Sequence, residues 1–265
     1  MLITLTTDFG SDDSYVGIMK GVIYGINPQA TVVDLTHGIP PQDIVAGALT
    51  LRHSIPYFPA GTIHVAVVDP GVGSARRPVL IEAGGNFFIG PDNGIWSLAL
   101  AEVAMVRAIH LSNSEFHRKP TSATFHGRDI FAPVGAHLSL GLPVEKLGEP
   151  IDALVRLEIP AVERHADHLS GAVIYVDRFG NLFTNIREHD LKGLPTDGLT
   201  VNLGAVSIRG IKESYASAAD VTLTTVINSW GCLEIAAYKD SAQRIIGGKV
   251  GDKVDVFFDR SSGGH

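Results

Sequence analysis

The sequence is poor in cysteine, in long apolar runs and in positive charge. Cys232 is the single cysteine among 265 residues, so neither an intramolecular disulfide nor a cysteine-rich zinc site is possible. No apolar run reaches the length of a membrane-spanning helix, and residues 1–10 lack the basic region that opens a signal peptide. We therefore expect a cytoplasmic protein that has no membrane partner.

The charge balance argues against one class of partner. Asp and Glu total 28 residues against 21 for Lys and Arg, which gives a net charge of −7. Nucleic-acid-binding surfaces need an excess of basic side chains, so nucleic acid is not an expected partner. The hydrophobic share of 45% is that of an ordinary globular protein, and the length allows one large domain or two modest ones.

The first half of the chain alternates strand-like and helix-like segments. In chain order they are 2–8, 14–26, 30–39, 43–58 and 61–69. This βαβαβ order predicts an α/β domain over residues 1–158 with a mostly parallel central sheet. Apolar periodicity predicts two further helices, over 94–103 and over 127–141, the second interrupted by Pro133.

The second half contains short strands separated by Gly, Asn and Asp turns, with no long helical pattern between them. The strand segments are 171–186, 199–211, 221–238 and 250–258. This pattern predicts a smaller all-β, barrel-like domain over residues 168–260.

Polar side chains follow three strands of the first half. Asp8, His37 and Asp69 each stand where a strand ends, and ligands of open α/β sheets bind beyond the carboxyl ends of the strands. Arg76 follows Asp69 by seven residues and can return over the same edge, where its charge would keep Asp69 ionised. A structural ion pair that only closes the loop explains the same spacing.

The segment "TTDFGSDD" (6–13) has two interpretations. Asp8, Asp12 and Asp13 within one turn are typical of hard-cation ligands. Asp and Ser are also favoured at a strand-to-helix turn, where they cap the helix, and this second interpretation, capping or solvation, suits Asp12 and Asp13 better. Asp8, at the strand end, is the better candidate for a site residue.

Three other segments hold candidate site residues. His126 lies in "TFHGRDIF" (124–131), beside a glycine and charged residues, and histidine is the usual acid, base or orienting group at neutral pH. In "YVDRFGNLFTNI" (175–186) and "INSWGCLEIA" (227–236), aromatic residues alternate with amide and carboxylate groups, a combination that suits a purine. A turn with ordinary core aromatics explains either segment alone, but Glu234 is unusual for a core position.

Taken together, these segments resemble the S-adenosylmethionine (SAM) hydroxide adenosyltransferases, relatives of the bacterial fluorinase and chlorinase. The segments that match, spread over nearly the whole chain, are "TTDFGSDDSYVG", "NPQATVVDLTHGIPPQDI", "VVDPGVGSARRP", "GPDNGIWS", "TFHGRDIFAPVGAHL", "DRFGNLFTNI" and "NSWGCLEIA". The resemblance implies a hydrolase in which water attacks the ribose C5′ of SAM, giving adenosine and L-methionine. It also implies a homotrimer with sites between the first domain of one subunit and the second domain of the next, and no cofactor or metal.

The resemblance assigns roles to individual residues. Asp69, Arg76 and His126 are the implied catalytic set, which handles the attacking water. The implied substrate-binding residues are Asp8, Asp69, Phe125, Asp177, Phe179, Asn181, Phe183, Ser229, Trp230 and Glu234.

Departures from the halogenases favour hydrolysis. Asp69 and Val72 replace a Tyr and a Thr of the halogenase pattern, and Gly127 replaces a Ser, so a carboxylate takes the place of halide-binding hydroxyls. Two alternatives stay open. One is a metal-dependent nucleoside N-ribohydrolase, and the other is a non-catalytic adenosine or SAM binding module.

Overall fold

The computed structural model describes residues 1–194, 198–218 and 222–258. The chain divides into two compact units, Met1–Leu157 and a second unit that begins at Glu158. Residues 259 and 260 of the predicted second domain lie outside the described residues. No helix within the described ranges is long and apolar enough to cross a membrane.

The first unit is built on a seven-stranded sheet. Its strands are β1 (Leu2–Thr7), β2 (Thr31–Thr36), β3 (Ile63–Val67), β4 (Pro78–Ala83), β5 (Asn86–Pro91), β6 (Met105–His110) and β7 (Glu149–Pro150). Its α-helices are α1 (Tyr15–Ile26), α2 (Ile44–Ser54) and α3 (Ala132–Ser139), and a π-helix covers Gly127–Phe131.

The sheet is mixed, so the prediction of a mostly parallel sheet is not confirmed. In the order β2-β1-β3-β5-β4-β6-β7, the first three pairs are parallel and the last three are antiparallel. The reason is the connection between β4 and β5, a two-residue turn at Gly84 and Gly85. Both residues have positive φ, +55° and +76°, which a tight hairpin turn needs and a crossover does not. The parallel part is the part that follows the βαβαβ pattern.

The main core of the first unit lies between one face of this sheet and the helices α1 and α3. Alternate residues of β1 and β3 point into it, as the two-residue period of a strand requires. The fully or almost fully buried residues there include Ile3, Leu5, Ile63, Val65, Met19, Ile23, Phe131 and Val134.

The two further predicted helices have different outcomes. Residues 94–103 form irregular turns instead of a helix. Tertiary contacts override the apolar periodicity there, because the hydroxyl of Ser97 accepts a 2.8 Å hydrogen bond from the backbone N–H of Leu157 and the ring of Trp96 packs against Phe88. In 127–141 the π-helix runs into α3, and Pro133 lies in the first turn of α3, where its missing N–H costs no hydrogen bond.

The second unit is an antiparallel sheet that nearly closes on itself. Its strands are β8 (Glu163–Arg164), β9 (His168–Val176), β10 (Leu182–Arg187), β11 (Thr200–Leu203), β12 (Val206–Arg209), β13 (Thr224–Ile227), β14 (Cys232–Ala236) and β15 (Lys253–Phe257), with one short helix, α4 (Ala242–Ile246). The strand order is β12-β11-β15-β9-β10-β14-β13, with β8 paired to β9. The two end strands approach each other where Lys212 forms a bridge with Val226, which makes the sheet barrel-like.

His64 is a fully buried histidine in β3. Its Nδ1 lies 2.9 Å from the hydroxyl of Thr4, and its ring stacks on that of Phe88 at 5.5 Å. Burial disfavours the charged imidazolium and lowers the pKa of His64 to about 4.

We predict that His64 makes the fold sensitive to acid. Between pH 6.5 and 4 the unfolded chain binds a proton at this position that the folded chain does not, so stability is lost as the pH falls through this window. From pH 7.5 to 5 the loss is about 2 kcal/mol. In urea unfolding at these two pH values, His64→Gln should show a weaker pH dependence than the wild type, whereas His165→Gln, which changes an exposed ring, should not. Equal pH dependence in His64→Gln and the wild type would contradict the assignment.

Candidate active site

The parallel strands deliver polar residues to one edge of the first sheet. Asp8 follows β1 directly, His37 follows β2 directly, and Asp69 follows β3 after one residue. Because these strands are parallel neighbours, their carboxyl ends lie at the same edge, and a site can be assembled there from several loops.

Asp69, Arg76 and His126 are in direct contact. Arg76 Nε donates to Asp69 Oδ1 at 2.8 Å, and Arg76 Nη2 donates to Asp69 Oδ2, so the guanidinium and the carboxylate form a two-pronged pair. Arg76 Nη2 also lies 2.9 Å from His126 Nδ1. The side chains of Arg76 and Asp69 are only 8% and 5% exposed, so they form a buried ion pair. His126 joins this pair from a separate loop.

The Arg76 guanidinium keeps one nitrogen available. Its Cζ lies 5.4 Å from the centre of the Phe131 ring, and Asp69 and His126 take up Nε and Nη2. Nη1 is buried and has no hydrogen-bond partner within the described part of the chain. Buried donors are rarely left unpaired, so Nη1 is a position for a ligand or a water molecule.

Chemistry fixes the ring state of His126 in this arrangement. A guanidinium has donors only, so His126 Nδ1 accepts the hydrogen bond and the ring proton is on Nε2. Burial and the positive charge of Arg76 lower the pKa of His126, while Asp69 and Asp129 act in the opposite direction. The ring is therefore neutral at physiological pH and offers Nε2–H as a donor.

A close backbone approach holds the two loops together. Gly73 has a φ of +77°, and a Cβ on it would lie 2.5 Å from the carbonyl oxygen of Ala123, three residues before His126. Only glycine fits this position without displacing one of the loops. The sequence "DPGVG" thus specifies the turn after Asp69 and, through Gly73, the position of the loop that carries His126.

A second ion pair lies beside the first, and the sequence analysis missed it. Arg77 Nε donates at 3.0 Å to Asp92, a buried residue at the end of β5, and Arg77 Nη2 donates to the carbonyl of Ala153 at 2.7 Å. The signal that could have revealed it was "GPDNG", in which another carboxylate follows a strand. Consecutive arginines therefore pair with carboxylates at two neighbouring strand ends.

Asp8 is fixed by backbone contacts. Its Oδ2 accepts a 2.7 Å hydrogen bond from the backbone N–H of Gln42, which has a positive φ of 67°. Asp12 and Asp13 were expected to be either capping or solvated; both are exposed, and Ser14 is the N-cap residue of α1, so they are solvated. Among the described residues, no group of three or more His, Cys, Asp or Glu side chains has an arrangement that could hold a metal ion.

Phe125 belongs to an aromatic cluster next to His126. Its ring lies 5.8 Å from that of Phe9 and 5.3 Å from that of Tyr15, and the guanidinium of Arg128 lies over its other side at 5.2 Å. Phe9 and Tyr15 were missed by the sequence analysis, although both lie in or beside the segment "DFGSDDSY" that holds Asp8. An apolar wall therefore adjoins the polar groups of this edge.

In the second unit, Asp177 organises the turn between β9 and β10. Its Oδ1 accepts from the backbone N–H groups of Phe179 and Asn181, both at 2.9 Å, and its Oδ2 accepts from the side-chain amide of Asn181 at 3.2 Å. The turn leaves the Phe179 ring 77% exposed, which is unusual for a phenylalanine unless the ring has a partner.

Phe183, Trp230 and Ser229 take different positions. The Phe183 ring is buried, packs edge-on against Trp230 at 4.9 Å and lies 5.6 Å from Tyr175. Ser229 is exposed in the turn between β13 and β14. Phe183 and Trp230 thus form part of an aromatic packing cluster, and Ser229 faces outward.

Glu234 is fully buried, and both of its oxygens are occupied. Oε1 accepts from the Tyr215 hydroxyl at 2.7 Å and Oε2 from the Asn228 amide at 3.0 Å. Burial raises the pKa of Glu234, and the negative charge of Asp177 adds to that increase. Asn228 is one of the amides singled out in segment 227–236, whereas Tyr215 was missed because nothing near it in the sequence marks it as the partner of a carboxylate.

A cavity of about 630 Å³ opens on this side of the second unit. Its lining residues are Phe179, Asn181, Tyr215, Ala237, Tyr238, Lys239 and Asp240. Exposed aromatic rings beside an amide and a carboxylate form a surface that can stack on a flat ring and bond to its edge.

The chain was compared with known proteins. The model of the SAM hydroxide adenosyltransferase N-terminal domain matches residues 3–148, and that of the C-terminal domain matches residues 171–255. A Salinispora tropica protein named (R)-S-adenosyl-L-methionine hydrolase is 38% identical over 96% of this chain and 97% of its own. A Methanocaldococcus jannaschii protein of the same name is 35% identical over 97% and 96%. The crystal structure of an uncharacterized conserved protein from Thermotoga maritima has a TM-score of 0.89 and 33% identity, covering 97% of this chain and all of that one.

We predict opposite effects of the two charged neighbours on His126. Arg76→Gln removes the positive charge that opposes protonation and should raise the pKa of His126, whereas Asp69→Asn should lower it. Titration of the His126 ring protons by NMR, assigned with His126→Asn, measures both shifts. Shifts in the same direction in both variants would show that the contact geometry is wrong.

Proposed function

The chain belongs to the SAM hydroxide adenosyltransferase family, and from this membership we propose that it hydrolyses S-adenosyl-L-methionine to adenosine and L-methionine at the Asp69–Arg76–His126 site. A water oxygen forms a bond to ribose C5′ while the C5′–S bond breaks. The electron pair of that bond goes to sulfur, and one proton of the water must be taken up.

The main barrier to this reaction is the weak nucleophilicity of water. The sulfonium leaves as a neutral thioether, so no general acid is needed at the leaving group. Water is a poor nucleophile, with a pKa of about 15.7. The site must therefore favour the hydroxide character of one water molecule and hold it in line with C5′ and sulfur, and such positioning can contribute about 7–11 kcal/mol.

The observation that carries the proposal is the buried Nη1 of Arg76, which has no partner among the described residues. We place the attacking water against Nη1 and the Nε2–H of His126, two donors that stabilise a developing hydroxide. Arg76 cannot accept a proton, and the lone pair of His126 Nδ1 is held by Arg76. The Asp69 oxygens bind the Nε–Nη2 edge of the guanidinium, which faces away from Nη1, so the proton of a water at Nη1 passes to solvent.

The second unit supplies the features expected for the nucleoside. We assign the adenine to the cavity of about 630 Å³, where Phe179 and Tyr215 offer ring faces and Asn181 offers an amide. Asp177 holds Phe179 and Asn181 in place. Glu234 reaches this cavity through Tyr215, so its contribution to binding is indirect.

We further propose a homotrimer in which the first unit of one subunit and the second unit of its neighbour complete each site. Support comes from the resemblance and from the separation of the chemical groups, since the water-handling set lies in one unit and the cavity in the other. A head-to-tail interface that closes into a ring gives every subunit the same partner. A cytoplasmic location stays a prediction from the sequence.

Incubation of the protein with SAM, with and without EDTA, tests the reaction. We expect adenosine and L-methionine in equal amounts by chromatography, with no effect of EDTA. Free adenine that disappears with EDTA would instead identify a metal-dependent ribohydrolase. Bound SAM without any product would identify a binding module.

Substitutions in the paired arginines test the assigned roles. Arg76→Lys and His126→Asn should each lower kcat by about a hundredfold or more with little change in KM, because they remove donors that act on the developing hydroxide. Arg77→Lys is the matched control. It changes the adjacent arginine, which pairs with Asp92, and should leave kcat near that of the wild type. An equal loss of kcat in all three variants would refute the assignment.

Mixing two inactive variants tests the shared site. His126→Asn damages the first unit and Asn181→Ala the second. When the two are refolded together in equal amounts, random assembly of a head-to-tail ring makes about one site in four intact. Recovered activity near that share supports a site formed between subunits, and no recovery contradicts it.

A further inference from the structure

Four side chains connect the surface of the first unit to the loop that carries Asp8. Lys20 Nζ donates to Asp34 Oδ2 at 2.5 Å, and His37 Nε2 lies 3.1 Å from Asp34 Oδ1. On the other side of the ring, His37 Nδ1 lies 2.9 Å from Thr7 Oγ1. We call the three residues Asp34, His37 and Thr7 the β2–β1 chain.

We propose that His37 is a positioning residue, which acts through Thr7 to hold Asp8 in the orientation that binds the substrate. This inference rests on the proposed function and on the role that the resemblance implies for Asp8, which is to bind the substrate. None of the three members of the β2–β1 chain was among the site residues expected from the resemblance.

The direction of each hydrogen bond in the chain follows from its donors and acceptors. The backbone N–H of Phe9 donates to Thr7 Oγ1 at 3.2 Å, and Asp34 Oδ1 can only accept. His37 Nε2 lies 3.1 Å from Asp34 Oδ1 as a charge contact, without hydrogen-bond geometry. The negative charge of Asp34 favours a proton on Nε2, and in that tautomer Nδ1 accepts the hydroxyl proton of Thr7. The Thr7 hydroxyl is hydrogen-bonded on both sides, to His37 Nδ1 and to the backbone N–H of Phe9, and these two bonds restrict the motion of the residues around Asp8.

The chain fixes the backbone on both sides of Asp8. Thr7 precedes Asp8, and the Thr7 hydroxyl holds the N–H of Phe9, which follows it. The backbone N–H of Gln42 then occupies Asp8 Oδ2, and Oδ1 has no hydrogen-bond partner in the described ranges. Asp8 thus lies between two residues that are bonded to each other, one of its oxygens is bonded to Gln42, and the other is left for a ligand.

An Asp–His–Thr sequence of contacts also resembles a hydrolytic triad, but burial excludes that role. Thr7 is 0% exposed, so no substrate can reach its hydroxyl. The hydroxyl also accepts from Phe9, whereas a nucleophile needs a free lone pair directed at the substrate. The β2–β1 chain can therefore affect the reaction only through the position of the loop that carries Asp8.

Thr7→Val and its neighbour Thr6→Val form a matched pair for the test. Both residues are fully buried in β1, and valine has nearly the same shape as threonine. The Thr7 hydroxyl makes two contacts, whereas Thr6 Oγ1 has no hydrogen-bond partner among the described residues. Thr7→Val should raise KM for SAM about tenfold with kcat nearly unchanged, the size expected for one lost hydrogen bond. Thr6→Val should change neither.

Two replacements of His37 test the ring itself. His37→Asn can place an amide oxygen near Nδ1 and still accept from Thr7, whereas His37→Gln reaches toward Asp34 and loses the Thr7 contact. We expect the larger increase in KM for His37→Gln. The backbone carbonyl of His37, which accepts from Gly10 at 2.8 Å, is unaffected by either change, and this favours folding of both variants.

A double-mutant cycle with Asp8→Asn separates the possible failures. Less-than-additive effects of Asp8→Asn and Thr7→Val on KM support the inference, since both then act on one contact. Additive effects, or equal KM values for Thr7→Val and Thr6→Val, overturn it while the hydrolase function stands. An unchanged KM in Asp8→Asn also overturns the inference, because Asp8 then does not bind the substrate. A wild-type protein that forms no adenosine from SAM overturns the proposed function itself.

Discussion

A buried charge pair determines the geometry of the first unit's site. The Arg76 guanidinium and the Asp69 carboxylate are both more than nine-tenths buried, and removing one partner of such a pair leaves an uncompensated charge that costs about 3–5 kcal/mol. The pair therefore keeps its arrangement once the chain has folded. His126 takes its orientation from the same guanidinium, and Phe131 packs against it. The remaining Nη1 is then presented at a fixed position.

The neighbouring pair of Arg77 and Asp92 shows why two arginines occur together. Parallel strands bring the ends of β3 and β5 side by side, so two carboxylates would lie close together without counter-charges. The turn after β3 brings two consecutive arginines back to these strand ends. Arg76 pairs with Asp69, and Arg77 pairs with Asp92. The more exposed Arg77 also bonds to the carbonyl of Ala153, which ties residues 151–157 to the sheet. The Arg76–Asp69 pair thus belongs to the candidate site, and the Arg77–Asp92 pair stabilises the surrounding loops.

Strand ends were predictable from the sequence, and contacts between distant segments were not. A β-branched run that stops at a carboxylate identified Asp8 and Asp69, and the seven-residue return identified Arg76, because both signals are local. The Gly84–Gly85 turn is a local signal too, and it predicts the hairpin that β4 and β5 form; this hairpin begins the antiparallel part that makes the sheet mixed. The partners of Glu234 lie 19 and 6 residues away with no periodic signal, so its burial against Tyr215 and Asn228 could not be predicted. The role of His126 was expected from the resemblance. Its tautomer could be assigned only from the structure, through the contact of Nδ1 with Arg76.

The balance of donors and acceptors at this site distinguishes between nucleophiles. Arg76 Nη1 and His126 Nε2–H are donors, and Asp69 is an acceptor with a negative charge that Arg76 offsets. A water molecule offers its lone pairs to the two donors and can lose a proton as its hydroxide character develops. A halide has no proton to give, so the carboxylate can only repel it, and burial strengthens that repulsion. Under the proposed function, Asp69 stands where the halogenase pattern has a hydroxyl and favours water over a halide, through the same charge pair that fixes the geometry.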